Sequence, residues 1–333
     1  MDIAKNVFQA HGVDAGGKTT LTRQLRRGQV IGYFEKLPPC LVGIEACATG
    51  HHWARELTKL GHTVRLMPAS YVKAYVKRSK NDAADAAAIC EAVTRPSMRF
   101  VPVKTIDQQA ALTLHRCRDL LIRQRTQLIN ALRGLAGEYG WVTAKGHYHV
   151  TALMGQIEDP SCALPAAARD ALLVLVKNVR ELNQQIDDLD AQIARRARQD
   201  EDARRLMTIP CVGQVVATAI LALAPPPQTF GCGRDFAAWM GLTPEQESTG
   251  GKEKLGKITR MGDRTLRRLL IIGAASVVRQ ALIHGAPEGS WLARMLARKP
   301  RMLVIVALAN KTARIIWALL AKGGVYKAPA VAA

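Results

Sequence analysis

The chain has 333 residues, 48% of them hydrophobic, which is enough for two or three modest domains with sizeable cores. Its 47 lysines and arginines face only 27 aspartates and glutamates, and a formal charge of +20 calls for a polyanion, with DNA or RNA ahead of an anionic membrane surface. No apolar run is expected to span a bilayer and no charged-then-apolar leader opens the chain, which excludes the membrane-embedded and exported classes from the expectations.

Residues 1 to about 104 alternate β-like and helical patterns, the mark of an α/β layer structure. Near the start, GVDAGGKTT (12–20) matches the phosphate-loop pattern through Gly12, Gly17, Lys18 and Thr19. That loop needs a buried strand before it and a helix after it. Here NVFQAHGVD is half polar, and TTLTRQL is rich in poor helix formers, so both flanks read as strands. Asp14, Gly16 and Gly17 then form the turn of a β-hairpin, and the nucleotide-hydrolase reading is set aside.

LVGIEA is an apolar strand, HHWARELTKLG a helix, TVRLMPA a second strand, and DAADAAAICEAV an alanine-rich helix after the polar SYVKAYVKRSKN. Four acids stand out in this framework. Asp2 opens the first strand, Glu45 closes LVGIE, and Asp82 and Asp85 share one face of their helix at i, i+3. Acids on two strands and a helix can converge at one sheet edge and supply the hard oxygen donors that Mg²⁺ or Mn²⁺ requires. Two such ions about 4 Å apart clamp both oxygens of a phosphodiester displacement. The plainer explanation makes Asp82 an N-cap and Asp85 a first-turn acid. Glu45 resists it, because an acid ending an apolar strand needs a partner.

From about 105 to 200 there is no strand signal. Leu114, Leu121, Leu128 and Leu135 recur every seven residues, and Leu172, Leu175, Val179, Leu182, Ile186, Leu189 and Ile193 step by three and four. Either a coiled-coil seam or two core helices of a bundle fits, divided by a Gly/Pro-bearing stretch around 137–165. Arg116, Arg118, Arg123, Arg125 and Arg133 on the first helix have few acids to balance them, which favours phosphate contact over a solvated face.

From 201 the chain is helical with loops. IPCVGQVVATAI (209–220) resembles a helix-hairpin-helix with Cys211 in place of the first hairpin glycine; an ordinary helical turn is the alternative. In FAAWMGLTPEQESTGGKEKLGKITRMGD, a helix ends at Gly241 and a loop carries Ser248, Thr249, Gly250 and Gly251. Lys252, Lys254, Lys257 and Arg260 crowd this loop before Asp263 caps the next helix. A hydroxyl among cations can attack a phosphate, and a basic loop that grips phosphate without chemistry is the alternative. A small-residue tail ends the sequence and is expected to fray. Seven cysteines, Cys40, Cys47, Cys90, Cys117, Cys162, Cys211 and Cys232, show no C-x-x-C or zinc spacing and read as small buried hydrophobes in a reducing cytoplasm.

Taken in order, MDIAKNVFQAHGVD, GIEACATGHHWARELTKLGHTV, KNDAADAAAI, the IPCVG segment, GLTPEQESTGGKEKLGKITRMGD and ALANKTARIIWALL resemble the DEDD transposases over nearly the whole chain. The resemblance implies a multidomain α/β plus α protein: a RuvC-like domain of RNase H fold over 1–104, a coiled-coil helical region over 105–200, and a mostly helical, serine-bearing transposase domain over 201–333. It implies that Asp2, Glu45, Asp82 and Asp85 hold Mg²⁺ or Mn²⁺, and that Ser248 takes a DNA strand as a covalent phosphoserine, the two sites combining within or between subunits. Thr249, next to Gly250, competes with Ser248 for that role. It implies an insertion-sequence recombinase, cytoplasmic and bacterial, that is homo-oligomeric and acts on double-stranded donor and target DNA. Some relatives are guided by a structured bridge RNA, and one is a DNA invertase. Arg118, Arg123, Arg125, Arg133, Lys252, Lys254, Lys257 and Arg260 would contact nucleic acid, and the coiled coil would bind RNA and assemble subunits. One departure is Asp2 directly after Met1, where relatives have several strand residues; the expectation is an upstream start or a clipped first strand. The alternatives are a RuvC-like hydrolytic nuclease that needs only the acids, and a non-catalytic nucleic-acid scaffold.

Overall fold

The computed structural model describes residues 1–76, 81–249, 251–252 and 254–328, so Gly250 of the serine loop, part of the polar 70–81 stretch and the end of the tail lie outside the described residues. The protein is mixed α/β and mostly helical, and it divides into two compact units, Met1–Ile106 and Asp107–Ala333.

The first unit begins with β1 (Asp2–Ile3), β2 (Val7–Val13) and β3 (Thr19–Arg26), an antiparallel succession with Phe8 opposite Leu25. At the turn after Gly12, the Asp14 carboxylate accepts the N–H groups of Gly16 and Lys18, each at 2.9 Å, and Gly17 takes φ 81°. Strand, not helix, follows Lys18, so no helix N-terminus faces a nucleotide there. After α1 (Val30–Phe34), β4 (Leu41–Glu45) pairs in parallel with β5 (Thr63–Met67) across α2 (Gly50–Lys59), which places Glu45 opposite Met67. The Met1 amine donates to the Gly43 carbonyl at 2.8 Å, which sets β1, the edge of the antiparallel sheet β1-β2-β3, beside β4 of the parallel pair β4-β5. Phe8, Leu25, Val30, Ile44, Trp53 and Leu57 form the core beneath it. The unit continues with α3 (Ala69–Val72) and α4 (Asp82–Val93). A Cβ on Gly43 would stand 2.8 Å from Cβ of Val93, so the bare glycine is what lets α4 lie against β4.

The second unit takes up all but the first residue of α5 (Ile106–Gly137) and continues with α6 (His147–Glu158) and α7 (Ala166–Gln199). The long α5 and α7 run antiparallel. Arg118 grips Asp190 with two hydrogen bonds, at 2.5 and 3.0 Å, and seven residues on, Arg125 donates to Asn183 at 3.0 Å. The buried stripe of α7 is Leu172, Val176, Val179, Ile186, Ile193 and Ala197, close to the sequence pattern. On α5 the pattern is displaced. Leu112, His115, Leu132 and Ala136 are buried, whereas none of Leu114, Leu121, Leu128 and Leu135 is, and Leu135 is 50% exposed. The leucine line therefore flanks the helix contact, because the arginines take inner positions and find polar partners on α7.

The rest of the unit is α8 (Glu201–Leu206), α9 (Gln214–Leu223), α10 (Gly233–Trp239), β6 (Pro244–Gln246), β7 (Leu255–Ile258), α11 (Arg264–His284), α12 (Trp291–Arg298) and α13 (Arg301–Lys322). Its core joins α9, buried almost all round, to Phe236, Leu266, Leu270, Val304, Ile305 and Ile316. Two expectations need correction. Helix α13 is long and apolar enough, by length and composition, to cross a membrane; its apolar content serves this core, where Val304, Ile305, Ala309, Ala313 and Ile316 are buried. The cysteines are all free but not buried hydrophobes: Cys40, Cys117 and Cys232 are exposed and the other four half-buried, since they lie on loops, helix flanks and caps.

Candidate active site

Four carboxylates lie in the first unit, near enough that Asp2 feels the charges of Asp82 and Asp85, and Glu45 those of Asp2 and Asp85. Asp2 comes from β1, Glu45 from the end of β4, and Asp82 and Asp85 from the first turn of α4. The N-cap of α4 is Asn81, whose side chain accepts the Ala84 N–H at 2.7 Å, so capping does not explain Asp82. Burial pushes the Asp2 carboxyl above its usual range, opposed by a backbone hydrogen bond and reinforced by the charges of Asp82 and Asp85. Glu45 is raised for the same first reason, with the charges of Asp2 and Asp85 adding to it. Among the described residues no cation ion-pairs with any of the four. Nor do three or more ligands already close on a common point. Among the described residues these acids therefore have no cationic side chain against them, and Asp2 and Glu45 are held above their usual range chiefly by burial.

The serine lies in the second unit at the tip of the hairpin formed by antiparallel β6 and β7. Its Oγ accepts the Lys254 N–H at 3.3 Å, and Thr249 bridges to Lys252. Ser248, Thr249, Lys252, Lys254, Lys257 and Arg260 are all exposed, and among the described residues only Lys254 of these cations has an acidic partner, Glu247 at 3.4 Å. The base of the hairpin is closed tightly. Gly241 and Gly262 have φ 68° and 75°, and a Cβ on Gly262 would stand 1.7 Å from the Trp239 carbonyl oxygen. Arg267, buried on α11, donates one guanidinium nitrogen to the carbonyls of Met240 and Met261, at 3.0 and 2.8 Å, tying both ends of the loop together. Asn310 on α13 adds a hydrogen bond to the Leu242 carbonyl at 3.2 Å. Sequence reasoning missed these anchors. The signal available was the repeated Met-Gly at 240–241 and 261–262, flanking the loop.

The basic residues separate on inspection. Arg118 and Arg125 turn inward to Asp190 and Asn183, and Arg123 lies 3.5 Å from Asp119, which also pairs with Arg268. Arg133 donates to the Gly146 carbonyl. The cations of the serine hairpin are the less committed set. Cys211 takes φ 71° in the turn between α8 and α9, the left-handed conformation a hairpin glycine would have.

Family models match both parts of the chain. One for DEDD transposases of the IS110 type, described as Transposase, covers residues 1–140, and one described as Transposase IS116/IS110/IS902 family covers 203–285. A relative from Sinorhizobium fredii, named as a transposase, is 50% identical over 98% of this chain and 84% of its own. The chain belongs to the IS116/IS110/IS902 family of transposases. A family 20 transposase of Pseudomonas aeruginosa is 47% identical over 98% of this transposase and 97% of its own length. The transposase for insertion sequence element IS1328 of Yersinia enterocolitica is 36% identical over the same shares. A transposase acts on DNA, and this one meets that polyanion with a charge of +20.

Proposed function

We propose that this transposase cuts and rejoins DNA through a covalent link to Ser248, assisted by a divalent metal held by Asp2, Glu45, Asp82 and Asp85. The observation that carries the reading is an exposed serine on a doubly anchored hairpin, surrounded by lysines and an arginine. The Oγ–phosphorus bond forms as one phosphoester P–O bond breaks; the proton that Ser248 gives up is matched by the one the departing sugar oxygen gains. Attack by a new sugar hydroxyl reverses the step and rejoins DNA without ATP. Lys252, Lys254, Lys257 and Arg260 stabilise charge on the phosphate; Thr249, whose backbone carbonyl accepts the Lys252 N–H, remains the competing hydroxyl. When bound, Mg²⁺ or Mn²⁺ supplies Lewis-acid stabilisation of phosphodiester oxygens. The chain's own part there is four carboxylates whose repulsion a cation relieves.

An antiparallel sheet β1-β2-β3 whose first strand lies beside the parallel pair β4-β5 supports the reading of 1–104 as an RNase H-like, RuvC-type domain. In the same reading 105–200 is the assembly and RNA-binding region of a homo-oligomer, 201–333 the serine-bearing transposase domain, and a structured guide RNA directs donor and target choice. The test is a denaturant-stable protein–DNA adduct formed on insertion-sequence ends with Mg²⁺. The parent forms it and Ser248→Ala does not. Unchanged strand exchange by Ser248→Ala would sink the serine mechanism, and unchanged cutting by Asp82→Ala would sink the metal site. Sequencing of co-purifying RNA should yield one discrete species; a random mixture counts against guidance.

A further inference from the structure

Beside the serine hairpin, within the second unit, lies a cleft of about 1590 Å³ between β6–β7 and helices α12 and α13. It exceeds the roughly 300–1,000 Å³ of ordinary small-molecule sites, so it suits a segment of polymer better than a metabolite. Its lining is largely apolar and unusually open: Leu255 is 67% exposed and Met302 64%. Trp291 and Trp317 contribute aromatic surface, and Trp317 is fixed by an Nε1–H bond to the Pro227 carbonyl at 3.0 Å. Five cations rim it, Arg234, Lys257, Arg260, Lys311 and Arg314, and no carboxylate of the described residues lines it. None of the five ion-pairs with a described residue, and Lys311 holds its ammonium 4.6 Å from the Trp291 ring centre.

Apolar and aromatic surface ringed by unpaired cations fits a ligand that is both flat and anionic. Duplex DNA offers phosphates but keeps its base faces stacked, whereas an unpaired nucleotide offers both. The wall formed by Pro244, Leu255, Lys257 and Ile258 belongs to the hairpin that carries Ser248, so a strand lying in the cleft leads to that serine. We propose that the cleft takes an unstacked base of the DNA strand undergoing cleavage, its ring against Trp291 and its phosphates on Lys257, Arg260 and Lys311. The assignment of DNA as occupant rests on the reading of Ser248 as the nucleophile; the affinity for an unstacked nucleotide does not.

The experiment uses the full-length chain with a short single-stranded DNA carrying 2-aminopurine, the matching duplex, and a single-stranded RNA of the same sequence, at one fixed salt. The parent is expected to prefer the single-stranded DNA and to quench its 2-aminopurine. Trp291→Ala should weaken that binding by about 5- to 150-fold, the span of one lost base–aromatic stack, and leave duplex affinity unchanged. Trp291→Phe, which keeps the fold and a ring, should recover most of it, and Lys311→Ala should lower the salt dependence by about one phosphate contact. Equal affinity of Trp291→Ala and the parent would overturn the proposal. So would a changed oligomeric state with unchanged DNA affinity, which would mean a second copy covers the cleft, and tighter binding of RNA would overturn the assignment to DNA. Adduct formation by the parent and Ser248→Ala, scored in parallel, reports on the nucleophile alone, so the two failures are distinguishable.

Discussion

His115 shows how much a single side chain can be constrained. It is buried on α5, with Nε2 3.1 Å from the Thr218 hydroxyl, and burial, joined by the charges of Arg118 and Arg196, lowers its pKa to about 4. The unfolded chain, near 6.5, therefore binds the extra proton between pH 6.5 and 4, and the stability is full above that window and lost as the pH falls through it. The loss should reach about 3 kcal/mol by pH 4, and denaturant midpoints of the parent and His115→Gln from pH 7 to 5 should converge if His115 is the cause. The acids behave oppositely. Asp2 and Glu45 have raised values, so the folded state holds protons more tightly, and stability declines as the pH rises through that range. Asp2→Asn and Glu45→Gln should melt at higher temperature than the parent at pH 7 without metal, and on the proposed metal site added Mg²⁺ should raise the melting temperature of the parent and not of these variants. A lower melting temperature for both would mean the carboxylates are structural.

At the scale of elements, the serine hairpin depends on its base. Arg267 is the only side chain whose hydrogen bonds join both ends of the loop among the described residues, and replacing it leaves two carbonyls unpaired beside a tight glycine crossing. Arg267→Met should cost about 2–4 kcal/mol and reduce adduct yield more than DNA affinity, measured by thermal denaturation and gel assay; equal loss of both would indicate general unfolding. This clamp was not legible in the sequence. An arginine in TLRRLLIIG has the appearance of a surface cation, and only the fold reveals which of Arg267 and Arg268 turns inward. Strands, helices and the β2–β3 turn were legible, because alternation, apolar runs and an aspartate followed by paired glycines (Asp14, Gly16, Gly17) are local signals. The nearness of Asp2, Glu45 and Asp85 could be drawn from the sequence only as a possibility, since a helix-start pair such as Asp82 and Asp85 has the plain use of a first-turn acid and Glu45 alone resists one. The α5 seam misled for the converse reason. A line of leucines outweighs arginines in any periodicity argument, yet Arg118 and Arg125 gained enough from Asp190 and Asn183 to take the inside.

For the molecule as a whole, the antiparallel α5–α7 pair has a consequence for length. A heptad pattern alone is indifferent to sliding by seven residues, because apolar positions fall on apolar positions again. Here a one-heptad slip would leave Arg118 facing Asn183 and strand Asp190, so the two dissimilar polar layers act as a vernier with a single reading. The 34 residues of α7 then form a strut of about 50 Å whose span is quantised. Evolution can lengthen or shorten it only by editing both arms together, in matched heptads, so the reach of the α6 end changes in steps of about 10 Å.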